Sequence, residues 1–513
     1  MISYLWLWSI VLIPLCLFIW EEVDEAIYIY RSKKGGFGLP YRKYSRPFGL
    51  ATTYARFQDA RNHRLASRLQ ELVFDIGKST FRGHGAFMKT TITVDPENVK
   101  AVLATNFKDF DLGSRHAQLF PLLGNGIFTL SGEGWKHSRA MLRPQFTRDQ
   151  VTDLDINYRH TGVLIDLCKQ LSKQDDGVFD IQELFHQMTL DTATEFLFGA
   201  SVNSLGTQHV TLLPGLNLTS SQFVTSFNFS LLYLSRRMQL NKIGIYLNSK
   251  EFQKHVKVCH EFTNYFVQRA LRETEKGTTS DRYVFIEELS RQTRDPVVIR
   301  DQALNILLAG RDTTAYTLSC CLYRLGTNKA IFEKLRNTVI QEFGNNTDDL
   351  TFESLKKCSY LNYFVNEVLR LHPAVPFNFR EAVRDTSIPR GGGPDESQPL
   401  LIRKGERVAY ATFLMQRTEK YWGPTALEFR PERWEEDTPH TWEFLPFNGG
   451  PRICLGQQLA LIETNYTLVR LLQNFNSVTY FERGPVAPGT EPRVGFKLTG
   501  SLADGCWVKL EEA

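Results

Sequence analysis

The sequence predicts a mainly α-helical protein with a minor β-sheet region, preceded by a single transmembrane helix. Three observations carry that expectation. An uncharged run, ISYLWLWSIVLIPLCLFIW, fills Ile2 to Trp20. A helical pattern of about thirty residues extends from Pro296 to Gly326 with no breaker except Gly310. Segments with strand character are few and short, chiefly MKTTITV at Met88–Val94 and RVAYATFLM at Arg407–Met415.

As a helix the uncharged run would span roughly 28 Å, close to the hydrocarbon thickness of a bilayer. Trp6, Trp8 and Trp20 suit the two interfaces, and Arg31, Lys33, Lys34, Arg42, Lys43 and Arg46 would hold the following side in the cytosol. Glu21, Glu22, Asp24 and Glu25 intervene but weigh little in that rule. A cleaved signal is disfavoured, because no basic stretch precedes the run and no small-residue cleavage site precedes Glu21. The expected division is therefore an anchor and hinge over 1–34 and one body over 35–513. Sequons at Asn217, Asn228 and Asn345 would then stay unused on the cytosolic side.

The body carries no linker, repeat or low-complexity tract. Its 60 basic and 56 acidic residues nearly cancel, which excludes a molecule-wide nucleic-acid footprint. Eight scattered cysteines without CxxC pairs argue against a zinc cluster or a disulfide framework, and for a reducing compartment. The long helix opens on Asp295-Pro296, an N-cap acid with proline at the first helical position. It is apolar nearly all round and so expected to be buried, yet it carries Arg311, Asp312, Thr313 and Thr314 at its centre. Leu212–Lys250 is rich in aromatics, including Phe223, Phe227, Phe229 and Tyr233, and reads either as packed helical core or as a mobile apolar lid.

The stretch FNGGPRICLG, Phe447–Gly456, surrounds one cysteine with little but backbone. Such a loop suits a metal-bound thiolate, whose charge backbone N–H groups stabilise without supplying an acidic proton. Gly449 and Gly450 permit the turn, Pro451 stiffens it, and the helix from Gln457 would aim its positive end at Cys454. Arg452 could pair with an anionic group of a bound cofactor, while Phe447 could shield the sulfur. An isolated cysteine is more often a small buried hydrophobe. Upstream, Glu367 and Arg370 share a helix face at i,i+3 within NEVLRLHP, and Arg433 of FRPERW could lock them into a buried triad.

Together, AGRDTT, the ExxR pair, PERW and FxxGxRxC (Phe447, Gly450, Arg452 and Cys454) resemble the cytochrome P450 superfamily, in the family's order along the chain. The resemblance implies the P450 fold, haem b as cofactor and Cys454 as axial thiolate ligand of its iron, with 35–513 as a haem-thiolate monooxygenase domain. It implies that Trp135 and Arg139 of WKHSR, together with Arg452, Arg380 and Arg115, serve the haem propionates. Asp312 and Thr313 become the acid–alcohol pair that passes protons to dioxygen as it is reduced, near a bend at Gly310. The competing reading of Thr313 is a hydroxyl bonded back to its own helix. No flavin-binding segment occurs in these residues, so electrons are expected from a separate NADPH-dependent reductase.

Several stretches, LLGNGIFTLSGEGWKHSRAMLRPQF, VPFNFREAVRDT and IPRGGGPDESQP, are similar to the fungal alkane- and fatty-acid-hydroxylating microsomal group. Gly449 departs from the alanine common there. The resemblance implies a lipophilic substrate, a fatty acid or n-alkane, with Ala309, Val375 and Phe377 shaping the pocket, and an endoplasmic reticulum location with the body facing the cytosol. The alternative is that the same chemistry tailors a long-chain polyketide or other secondary metabolite in a fungal biosynthetic pathway. A reductase-independent haem-thiolate isomerase and a membrane-tethered haem sensor are rivals from other classes; the acid–alcohol pair speaks against both.

Overall fold

A computed structural model describes residues 2–513 apart from 44–48, 86–87, 147–152, 207–215, 278–281, 348–349, 437–439, 486–489 and 497; within α1 the side chains of residues 2–11, 13 and 14 also lie outside the described set. The chain forms two compact units: Met1–Gly113, Phe377–Met415 and Thr441–Arg452 make the first, and Ser114–Pro376, Gln416–His440 and Ile453–Ala513 the second.

The first unit is built on a six-stranded sheet. Its strands are β1 (Tyr41–Lys43), β2 (Thr80–Gly85), β3 (Met88–Thr93), β4 (Phe110–Asp111), β5 (Asn378–Ala382) and β8 (Arg407–Tyr410), in the order β1-β2-β3-β8-β5-β4. The expected strand at Met88–Val94 is present. That at Arg407–Met415 ends at Tyr410, where Thr412–Met415 turns helical. Pairing explains the stop: β8 lies parallel to β3 and antiparallel to β5, and both partnerships run out at Tyr410. The glycine-rich insert forms a hairpin, β6 (Thr386–Gly392) and β7 (Gln398–Ile402), with Gly391 at φ 110°. Val102, Phe110, Ala382, Ile388, Leu400, Ile402 and Val408 form one buried cluster beneath it.

One helix, α1, runs unbroken over Ile2–Lys34, so the expected anchor and hinge share a single element. Among the described residues, no helix is long and apolar enough to cross a membrane.

The second unit is mainly helical. Its elements near the site are α2 (Gly132–Leu142), α3 (Ile181–Phe198), α4 (Ser220–Gln239), α5 (Lys250–Glu275), α6 (Pro296–Thr327), α7 (Ser359–Leu371) and α8 (Gln457–Asn474). The central helix α6 starts where the sequence places it, with Asp295 accepting from the amides of Val297 (2.8 Å) and Val298 (3.4 Å). It packs against α3, α5, α7 and α8 and is buried along most of its length. Two polar residues of its first turns, Asp301 and Asn305, are spent on the loop LLGNGIF. Asp301 Oδ2 accepts from Asn125 N at 2.8 Å, while Asn305 donates to Leu123 O at 2.9 Å and accepts from Phe128 N at 3.1 Å. Gly124 and Gly126 make that contact possible, since a Cβ there would stand 2.0 Å from Asp301 and 2.1 Å from Asn305.

The aromatic region after residue 215 forms α4, capped by a reciprocal Thr219–Gln222 pair and packed on α5; residues 212–215 lie outside the described set. Phe223 and Phe227 are fully buried, Phe223 stacks on Phe262 at 4.0 Å, and Tyr233 stacks on Phe252 at 4.2 Å. Of the two readings offered for this region, helical core packing describes these side chains.

Candidate active site

Cys454 stands just ahead of α8. The Gly456 amide donates to its sulfur, and the Arg139 guanidinium lies close enough to act on it electrostatically. Burial pushes the thiol above its ordinary value, and these two groups only partly oppose the rise. The residue nevertheless keeps exposed surface. A sulfur that keeps exposed surface and is offered a backbone N–H and a cation has the donor set for a thiolate bound to a metal that supplies the missing positive charge.

Arg139 reaches this point from α2, donating to the carbonyl of Ile453 at 2.9 Å. One helical turn earlier, Trp135 is buried, with the Arg139 guanidinium 5.9 Å from its ring centroid, so the i,i+4 spacing does put both on one face. Arg115 is half-buried at the first position of the helix Arg115–Leu123.

The rest of the cysteine loop belongs to the first unit. Gly450 takes φ 68°, and a Cβ on it would stand 2.0 Å from the carbonyl oxygen of Leu103, so this turn admits no side chain. Asn448 also has positive φ, held by the Tyr410 hydroxyl donating to its Oδ1 at 3.1 Å. Phe447 is half-buried, and Arg452 lies 4.0 Å from Asp111. A Cβ at Gly449 would meet the Trp442 ring at 2.9 Å. Arg380 on β5 is buried; its Nη1 donates to Phe379 O at 2.8 Å, while its Nε has no partner among the described residues. A buried guanidinium N–H left over in this way fits an anionic cofactor group.

The Glu367–Arg370–Arg433 constellation is closed and entirely within the second unit. Arg370 donates from Nε to Glu367 Oε2 and from Nη2 to Oε1, both at 2.8 Å. Arg433 Nε adds a bond to Oε1 at 3.1 Å. Two further donors were not foreseen: the Arg430 amide at 2.9 Å and Trp434 Nε1 at 3.1 Å. Burial alone would raise the Glu367 carboxyl, but the hydrogen bonds and charges of Arg370, with Arg433 behind them, bring it net below its usual value. Arg370 also donates to the carbonyls of Gln416, Ala426 and Glu428, which pins the chain leading into PERW.

On α6, the Thr313 hydroxyl donates to Ala309 O at 2.7 Å, the bond of the competing reading. The helix is continuous through Gly310. Asp312 Oδ1 lies 3.6 Å from both Arg311 Nη1 and His186 Nδ1, and the latter was not singled out in the sequence. Also unforeseen is Glu463 on α8, a buried carboxyl raised to about 8 by burial, with hydroxyl partners Thr314 and Thr192. Only the helical register of a later element brings Glu463 to α6, so no local signal marked it. Ala309 is half-buried on α6 and Val375 partly exposed in the second unit; Phe377 lies in the first, 6.3 Å from the Phe413 ring.

Comparison with known proteins agrees with this chemistry. The family model described as cytochrome P450 matches residues 56–497. The chain is 45% identical to cytochrome P450 52-E3 of Starmerella bombicola, over 94% of this chain and 95% of that protein. It is 44% identical to cytochrome P450 52E1 of Candida apicola, over 93% of each chain, and 48% identical to cytochrome P450 52A12 of Debaryomyces hansenii, over 83% of this chain and 84% of the other. With a thiol prepared for a metal, a closed ExxR constellation and a family match over most of its length, the chain belongs to the cytochrome P450 family of haem-thiolate monooxygenases.

Proposed function

We propose that this protein hydroxylates an unactivated C–H bond of a long-chain lipophilic substrate, a fatty acid or n-alkane, with electrons from NADPH through a separate reductase. The observation that carries the reading is the Cys454 setting, a sulfur with the Gly456 amide and Arg139 beside it. The substrate class is supported by the glycine-rich insert that the chain shares with the alkane- and fatty-acid-hydroxylating group, and by similarity to P450 52 proteins of yeasts.

In this reading Cys454 would hold the haem iron, and Phe447 would shield the sulfur from water. Arg452, Arg380, Arg139, Trp135 and Arg115 would serve the haem carboxylates. The haem, when bound, supplies the dioxygen activation and redox chemistry from which C–H oxidation follows. The chain's own part in that chemistry is proton management. The Asp312 carboxylate, oriented by Arg311 and His186, exchanges protons with solvent, and Thr313 hands them on when its hydroxyl leaves Ala309 O. Ala309, Val375 and Phe377 line the substrate's path, where apolar contact contributes about 0.8 kcal/mol per buried CH₂.

Residues 1–34 serve as the membrane anchor and 35–513 as the catalytic domain. The support is the charge-free run Ile2–Trp20 and the cations that follow it. The domain then faces the cytosol from the endoplasmic reticulum membrane, where a substrate dissolved in lipid and a membrane-bound reductase are both at hand.

The test is product identification by mass spectrometry with purified protein, reductase, NADPH and a panel of alkanes, fatty acids and long-chain polyketide acids. Hydroxylated alkane or fatty acid is expected. Turnover confined to the polyketide acids would reassign the substrate, and a Cys454→Ser protein with an unaltered Soret band would remove the haem-thiolate reading itself.

A further inference from the structure

The acidic residues that follow the uncharged run have a use that topology rules do not supply. On α1, Glu21, Glu25, Tyr28 and Ser32 are buried, a spacing of i, i+4, i+7 and i+11 that marks one helix face. That face is fastened to the sheet of the first unit turn by turn. Glu21 Oε1 lies 2.7 Å from Nδ1 of His84 on β2. Asp24 receives both ends of the Arg403 guanidinium at 2.9 Å and Lys89 of β3 at 2.5 Å. Glu25 pairs with Arg42 of β1 at 3.0 Å and with Lys89 at 3.1 Å. Tyr28 is 1% exposed, donates to Leu401 O on β7 at 3.2 Å and carries the Arg82 guanidinium 3.6 Å above its ring; a turn later Arg31 pairs with Asp385. Burial would raise the Asp24 carboxyl, yet Arg403 and Lys89 hold it down to about 2, so this fastening stays ionised at any physiological pH.

The opposite face is apolar and open. Trp20 is 60% exposed, Val23 51%, Ile27 47% and Tyr30 64%, at i, i+3, i+7 and i+10. The same stripe continues backwards through Leu12, Cys16 and Ile19, all exposed, into the uncharged run. Its forward end carries exposed Lys33 and Lys34.

We infer that residues 20–30 of α1 form a rigid strut between bilayer and sheet: the acidic face is bolted to β1, β2, β3 and the Arg403 loop, and the Trp20/Val23/Ile27/Tyr30 face lies in the headgroup region of a lipid bilayer. This rests on the membrane anchoring proposed above. The bilayer is the occupant that the residues fit. The stripe is continuous with a segment uncharged enough for hydrocarbon, it is bounded by Trp and Tyr, which favour the interface, and it ends in cations that suit phosphate headgroups. From position 20 to 30 the helix rises roughly 15 Å, so the stripe leads outward from the hydrocarbon edge through the headgroup layer. Because the other face is fixed to folded protein, the direction of α1 also sets how the first unit meets the membrane.

The experiment uses the full-length haem-loaded protein in 3:1 phosphatidylcholine:phosphatidylserine vesicles. A bimane probe is placed by Ile27→Cys in a Cys16→Ser background, the remaining thiols being buried or, for Cys454, ligated. Vesicles made with lipids brominated near the headgroup or deep in the chain report its depth. The expected result is strong quenching, at least twofold greater with the shallow bromine. Asp24→Asn and Asp24→Lys should leave the protein in the vesicle fraction but lower quenching at position 27 by half or more, with the reduced-CO spectrum certifying that each variant is folded. Vesicle-bound protein without quenching at position 27, or quenching unchanged in both Asp24 variants, would overturn the strut while leaving the anchor intact. Failure to partition into vesicles at all would instead overturn the anchor. Efficient 27–27 crosslinking between copies in place of quenching would assign the stripe to a second copy of this chain and also overturn the inference.

Discussion

Both carboxylate oxygens of Glu367 receive the guanidinium of Arg370 at 2.8 Å, and neither side chain has any exposed surface. An ion pair so placed is held by its partners as much as by its own attraction. Glu367→Gln keeps the shape but leaves two buried guanidiniums without their counter-charge. Breaking a buried pair in this way costs about 3–5 kcal/mol. We expect a large fall in the urea midpoint of the holoprotein and little haem incorporated; a loss below about 1 kcal/mol would show that the constellation is not structural.

Thr313 is bonded to Ala309 O, so its hydroxyl must exchange one partner for another if it carries protons. Thr313→Ala removes both roles and Thr313→Ser restores the hydroxyl. The proton-handling role predicts NADPH consumption that no longer yields product, with product formation down about 10²-fold in the alanine variant and mostly recovered in the serine variant. Equal coupling in all three proteins would assign the hydroxyl to helix structure alone.

Glu463 binds a proton in the folded protein up to about pH 8, whereas unfolding returns it to the ordinary carboxyl range. Between those limits the folded state holds more protons than the unfolded state. Stability must therefore fall as pH rises through that window, by a few kcal/mol in all, with no further loss from this group above it. Glu463→Gln should flatten the decline, which denaturant titrations at pH 6 and pH 9 would reveal. An unchanged slope in the variant would mean that Glu463 is already ionised at pH 6.

Gly450 has φ 68° and only 2.0 Å between a built Cβ and Leu103 O. Gly450→Ala combines left-handed strain of about 1–3 kcal/mol with a clash against backbone that has little freedom to retreat. We expect apoprotein or a displaced Soret band. Gly449→Ala meets a movable Trp442 ring instead and should cost less, with normal haem content.

Several candidate site residues were legible in the sequence because each depends on near neighbours. Asp295-Pro296 caps α6 as read, Glu367 and Arg370 meet through helical spacing, and Trp135 and Arg139 share a face for the same reason. The strand ending at Tyr410 was read too long because strand length is set by partners distant in sequence, which alternation alone does not reveal. Phe223 and Phe227 fitted a core or a lid equally until α5 was seen to cover them.

By itself the sequence determined the family and the helical character of the body and marked Cys454 as the candidate metal ligand, since these reside in local pattern and chemically demanding residues. Tertiary structure alone decided that Trp434 and the Arg430 amide complete the hold on Glu367, that Glu463 lies buried against Thr314, and that Asp24 and Glu25 fasten α1 to a sheet. The physical reason is common to all three: a charge acquires its meaning from what replaces its water, and those replacements come from segments tens to hundreds of residues away.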